Sequence, residues 1–110
     1  MSNMVVYNEG EIELNVSVDE ETVWLNRNQI SDLFERDVKT IGKHINDILN
    51  EGELERNSTV AKFATVQIEG GREVKRDVEF YNLDMILSLG YRVNSKKATK
   101  FRQWATSVLK

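Results

Sequence analysis

The hydrophobic positions of this chain change period along its length, and the changes mark its elements. Between residues 4 and 25 the period is two. Ile12, Leu14, Val16 and Val18 alternate with Glu13, Asn15 and Ser17, which predicts a strand with one buried and one wet face. Val5 to Tyr7 form a second apolar run before it. Asn8-Glu9-Gly10 lies between the two, with a glycine available for positive φ. Asp19-Glu20-Glu21 turns the chain into Thr22 to Leu25, where Trp24 and Leu25 are expected to feed the core.

From Asn26 the period becomes helical. Asn26 can accept a bond from an early helix N–H, and Gln29 follows three residues later, as in a capping box. Ile30, Leu33 and Phe34 form the apolar face of this first helix. Glu35-Arg36-Asp37 is a turn, with Asp37 placed to cap a second helix over Val38 to Asn50. In that helix Val38, Ile41, Ile45, Ile48 and Leu49 fall on one side, while Lys39, Thr40, Lys43, Asn46, Asp47 and Asn50 face away. Gly52 ends it.

Alternation returns in Val60 to Ile68 and Glu73 to Tyr81, on either side of Glu69-Gly70-Gly71-Arg72. The glycine pair predicts a β-hairpin. Asn82 caps a third helix, Leu83 to Leu89, with Gly90 expected to close it. Ser95 caps a fourth, in which Phe101, Trp104, Ala105, Val108 and Leu109 make a buried stripe. That stripe runs to Lys110 with no capping glycine. The chain is therefore read as a single domain over 1–110 and as the N-terminal part of a longer protein.

Charge changes this picture more than composition does. Apolar residues are 40% and charged residues 30%, ordinary for a globular domain. The net charge of −3 is unevenly spread. Residues 1–24 carry six acids and no base, whereas residues 92–110 carry six bases and no acid. A nucleic-acid contact needs a local basic face and not a basic total. No apolar run approaches the ~18 residues of a membrane span, and the first residues do not read as a signal peptide. A cytoplasmic location is expected.

Two short helices joined by a turn of about three residues form the pattern of a helix-turn-helix, whose second helix can lie in the major groove of DNA. Lys39, Thr40 and Lys43 occupy the first two turns of that second helix, where base-edge contacts are made. Lys43 can donate to guanine, Thr40 can meet a thymine methyl, and Asn46 can pair with adenine. Arg36 in the turn, and Lys62, Arg72, Lys75 and Arg76 in the hairpin, are candidates for phosphate or minor-groove contact. Lys96, Lys97 and Lys100 add a basic flank. A left-handed residue is often wanted in such a turn. Here the position is held by Glu35, at a cost of roughly 1 kcal/mol if it takes that conformation.

Catalytic constellations are missing. No GxxxxGK[ST], GxGxxG or GxSxG pattern occurs. With no cysteine and His44 as the only histidine, disulfides are excluded and neither a metal site nor a cofactor is expected. Trp24, Phe34, Phe80, Phe101 and Trp104 sit at apolar-face positions and read as core.

The segments VWLNRNQISDLF, IGKHINDILNEGEL and YNLDMILSLGYRVNSKKATKFRQWAT resemble the RhuM family of virulence-associated proteins. The resemblance runs from about Thr22 to Thr106, and its most specific parts are YNLDMI, GYRVNS and FRQWA. The closing segment is also similar to Bro-N and KilA-N domains of phage antirepressors. The resemblance implies a DNA-binding N-terminal domain, in some cases beside toxin or Fic-like partners, and carries over no catalytic residues.

The fold expected is α+β: a winged-helix-like helix-turn-helix with an N-terminal β-hairpin, a β-hairpin wing and two C-terminal helices. The function expected is sequence-specific binding of double-stranded DNA in transcription regulation, without enzymatic activity. The expected partners beside DNA are a second copy of the chain and a toxin or repressor. The rival reading is a protein-interaction module of an antirepressor or toxin-associated system, working through the acidic arm of residues 9–21.

Overall fold

The computed structural model describes residues 3–110 and is α+β, with one five-stranded antiparallel sheet and five helices. Strand β1 (Asn3–Glu9) pairs with β2 (Ile12–Val18) in a tight hairpin that puts Glu9 opposite Ile12. The reversal falls on Gly10-Glu11, one residue later than the sequence suggests, because Gly10 is the residue that takes positive φ (61°). Strand β3 (Val23–Asn26) joins β2 through Ser17–Trp24 and Val18–Val23 pairs. Asp19 organises the turn between them. Its Oδ1 accepts the N–H groups of Glu21 and Thr22, and its Oδ2 accepts the Trp24 indole N–H at 2.7 Å. The indole bond, with the two backbone bonds, holds the Asp19 carboxyl below the usual carboxylate range.

The chain then forms helix α1 (Arg27–Phe34) and helix α2 (Val38–Asn50). The capping box is present: Asn26 Oδ1 accepts from Gln29 N–H and Gln29 Oε1 accepts from Asn26 N–H, both at 2.9 Å. Asp37 caps α2 through Lys39 N–H. A four-residue helix, α3 (Arg56–Thr59), precedes the hairpin of β4 (Val60–Glu69) and β5 (Arg72–Tyr81). No hydrophobic period could announce so short a helix. Gly70 and Gly71 both take positive φ, 57° and 77°, as a two-residue turn of type I′ requires. Helices α4 (Leu83–Arg92) and α5 (Lys97–Val108) close the chain. Ser95 is not the N-cap of α5 as the sequence suggests: that position falls on Lys96, which makes no side-chain cap, and Ser95 Oγ, one residue earlier, accepts from Lys97 N–H.

The strand order is β1-β2-β3-β5-β4. Directly opposed residues share a face, so Val18, Val23, Leu25, Tyr81 and Val60 line one side of the sheet. The helices cover that side. The core joins Val16, Val23 and Leu25 to Ile30, Leu33 and Phe34 of α1, Ile41, Ile45 and Ile48 of α2, Met85, Ile86 and Leu89 of α4, and Phe101 and Ala105 of α5. Tyr7 packs edge-on against Phe101 and Trp104, with centroids 5.1 and 5.0 Å apart. Trp24 is an exception to the expectation that it feeds this core. It lies on the other face of the sheet, edge-on to Phe63, which in turn meets Phe80. Strict alternation puts Leu25 inside and therefore its neighbour outside.

Gly90 departs from the sequence reading. It does not end α4; the helix continues to Arg92, and Asn94 takes the left-handed position at φ 54°. Ser95 N–H bonds back to the Gly90 carbonyl and Asn94 N–H to that of Tyr91, a Schellman closure. Gly90 instead allows α4 to touch its neighbours. A Cβ there would lie 2.6 Å from Ala98 Cβ and 2.9 Å from Phe34 Cζ. Gly90→Ala therefore forces α1, α4 and α5 apart. It is expected to lower stability by ~1–3 kcal/mol in chemical denaturation, despite alanine's better helix propensity.

Candidate nucleic-acid interface

The geometry of α2 is set by the three residues before it. Glu35 takes the left-handed conformation at φ 54° and ψ 48°. Arg36 N–H bonds to the Ser31 carbonyl and Glu35 N–H to that of Asp32, again a Schellman closure. The residue most at odds with a left-handed turn thus adopts it. Two side chains hold it there. Lys97 Nζ reaches Glu35 Oε1 at 2.9 Å, which keeps the Glu35 carboxyl below its usual range. The Arg36 guanidinium donates to the carbonyls of Phe34 (3.0 Å), Glu35 (3.3 Å) and Val93 (2.7 Å). It joins the C-terminal end of α1 to that of α4.

Helix α2 leans on α1 through another close approach. A Cβ on Gly42 would lie 3.0 Å from Arg27 Nη1, so the Arg27 side chain lies across the middle of α2. Arg27 also stands beside the Tyr81 hydroxyl, which donates to Glu79 Oε1 at 3.1 Å and whose proton loss is made harder by burial. Glu79 Oε2 accepts from Arg56 at 3.0 Å. This chain of contacts ties α1, α3 and the base of the hairpin together. Sequence reasoning did not single out Arg27; the one signal was a glycine inside a helix.

With Ile41, Gly42, Ile45 and Ile48 buried, the opposite face of α2 is open. Lys39, Thr40, Lys43 and Asn46 are all exposed on it. Among the described residues none of their side chains has an ion-pair or hydrogen-bond partner. Asn46 and Asn50 continue into an open groove with Arg56 and Asn57. His44 is half-buried on the flank of the helix, with Nδ1 enclosed and without a hydrogen-bond partner.

The remaining candidate cations divide into two groups. Lys62, Arg72, Lys75 and Lys96 are exposed and unpaired among the described residues. Arg76 is bound through two nitrogens to Glu69, Lys97 to Glu35, and Lys100 to Glu9 at 3.0 Å. With Arg36 held by carbonyls, four of the expected cations have internal partners. Lys62 and Lys75 share a hairpin face with Glu73, Asp77 and Glu79, so that face is of mixed charge. No group of His, Cys, Asp or Glu among the described residues is arranged to hold a metal ion.

The architecture is that of a two-layer α+β domain with helices on one face of an antiparallel sheet. Residues 58–110, just under half of the chain, match the Virulence protein RhuM family, and this match supports a RhuM-family assignment. The matched region holds the hairpin, α4 and α5, and includes Val93 and Lys97, which clamp the turn before α2. No curated protein and no solved structure matches the chain. No helix of the described residues is long and apolar enough to cross a membrane.

The left-handed turn makes a direct prediction. Glu35→Gly and Glu35→Ala both remove the Lys97 pair, but only alanine keeps the Cβ strain. The glycine variant is expected to be more stable than the alanine variant by about 1 kcal/mol in denaturant titrations.

Proposed function

We propose that this chain is a sequence-specific DNA-binding domain of a transcription regulator, built as a winged-helix-like helix-turn-helix. In this reading α2 enters the major groove and the β4–β5 hairpin is the wing. The observation that carries it is the pairing of order and surface. A strand, two helices and a long hairpin follow one another, with β5 set between β3 and β4. The same arrangement leaves Lys39, Thr40, Lys43 and Asn46 exposed and unpaired on the outer face of α2. Lys39 and Lys43 then reach base edges or phosphates, Thr40 meets a thymine methyl, and Asn46 pairs with adenine. Lys62, Arg72, Lys75 and Lys96 supply phosphate contacts. Arg36, Arg76, Lys97 and Lys100 act first in holding the fold and contribute to the field around it. The reading carries a cytoplasmic location and no enzymatic role.

A second reading has its own observation. Glu11, Glu13, Glu20 and Glu21 are exposed at and beyond the ends of β2, and Val66 and Ile68 are 55% and 70% exposed near the hairpin tip. Such surfaces suit a protein partner, such as a repressor or a toxin in an antirepressor-like system.

Fluorescence anisotropy of duplex DNA pools against salt separates the two. DNA binding should weaken steeply with salt, with a slope of log K against log salt of about −0.9 per phosphate contact. On a selected site, Lys43→Ala is expected to cost ~1–3 kcal/mol and to relax base preference. A folded Lys39→Ala/Lys43→Ala protein with unchanged affinity removes α2 from the interface. Salt-independent or absent binding favours the protein partner.

A further inference from the structure

The outer edge of β1 is the least protected part of the sheet. β1 is a terminal strand, so the backbone groups on its outer side have no neighbour within the sheet. Soluble proteins blunt such edges with lysine, proline, glycine bulges or a covering element. Between Asn3 and Glu9 none of these residues occurs. Met4 and Val6 stand on the face away from the helices, 63% and 47% exposed. On the helix face the edge is flanked by half-buried Val5 and by Trp104, which packs against Tyr7. The other terminal strand, β4, differs in that it carries Lys62 and extends into a two-stranded arm, where twist is greater.

We propose that β1 is a homodimer edge, at which two copies pair antiparallel through a two-fold axis beside Val5 or Val6 and join their sheets into one. The second copy is chosen over a foreign strand by the complementarity of β1 with itself. Along a strand the outward-facing N–H and C=O groups belong to alternate residues. A two-fold pairing therefore sets residues of the same parity opposite each other. With the axis beside Val5, Met4 faces Val6 of the other copy; with the axis beside Val6, Val6 faces its own copy and Met4 faces Asn8. No like charges oppose each other. Glu9, the only charged residue of the strand, is at its end and is already neutralised by Lys100 of its own chain. The axis stands perpendicular to the sheet, so the pairing forms one isologous, closed interface. The inference does not depend on DNA binding.

Sedimentation velocity on the 110-residue chain tests this. The wild-type chain is expected to sediment as a dimer at about 100 µM, and Met4→Lys/Val6→Lys to raise the dimer dissociation constant by at least about tenfold, since lysines then oppose each other across the axis. Both substituted side chains lie outside the core, and an unchanged thermal melt confirms that the variant is folded. Because the chain contains no cysteine, Met4→Cys/Val6→Cys gives an independent readout, since one cysteine then opposes another with the axis beside either residue. It is expected to form a disulfide-linked dimer on mild oxidation, whereas Ile68→Cys at the hairpin tip is not. A wild-type chain that remains monomeric at that concentration overturns the proposal. So does a dimer that survives the double lysine substitution or that crosslinks through Ile68→Cys and not through Met4→Cys/Val6→Cys.

Discussion

The Arg36 guanidinium is the contact on which the arrangement of the helices depends. It donates to two carbonyls at the end of α1 and to the Val93 carbonyl at the end of α4, 57 residues away. A helix C-terminus leaves several carbonyls without intrahelical partners, and it carries partial negative charge. One planar cation with several fixed donors satisfies parts of two such ends at once. Beside it, Lys97 from the start of α5 holds Glu35 in the left-handed turn. The entry of α2 is thus fixed from both sides by residues of the C-terminal helices. The three-residue turn could not set that direction alone.

The other constraint is close contact. Gly90 lets α4 meet Phe34 and Ala98, and Gly42 lets the Arg27 side chain cross α2. With the helices drawn to one side of the sheet, the outer face of α2 and the hairpin are left to solvent. The family match covers residues 58–110 and therefore the hairpin and the two helices that clamp the turn. The exposed face of α2 lies outside that match. Its role in this chain rests on its own chemistry: two lysines, a threonine and an asparagine held outward by four buried positions of the same helix.

Local signals made much of this fold legible. Asn26 with Gln29, Asp37, and Asn82 each cap the helix expected of them, because a side-chain acceptor satisfies an N–H two or three residues on. Gly70-Gly71 set the hairpin, and the alternation in β2 set its faces. Interactions distant in sequence were not legible. Nothing near Arg36 tells that its partner is Val93, and Lys100 pairs with Glu9 across 91 residues. Those pairings change the reading of the site, because they engage cations that sequence alone leaves free for phosphate. Gly90 shows the same limit. A glycine after an apolar helix face signals an end, yet here its bare backbone serves packing against two other helices. Glu35 is the reverse case: its position in the turn was evident, and the backbone accepts the strain because Lys97 and Arg36 hold it.

The central claim is that α2 presents a DNA-reading face. Amide chemical-shift mapping of the ¹⁵N-labelled chain, titrated with its selected duplex, tests it residue by residue. The account predicts the largest perturbations at Lys39, Thr40, Lys43 and Asn46, with smaller ones along the β4–β5 hairpin and little change in β1 and β2. Perturbations that spare α2 and gather on the acidic β1–β2 arm or elsewhere would contradict it.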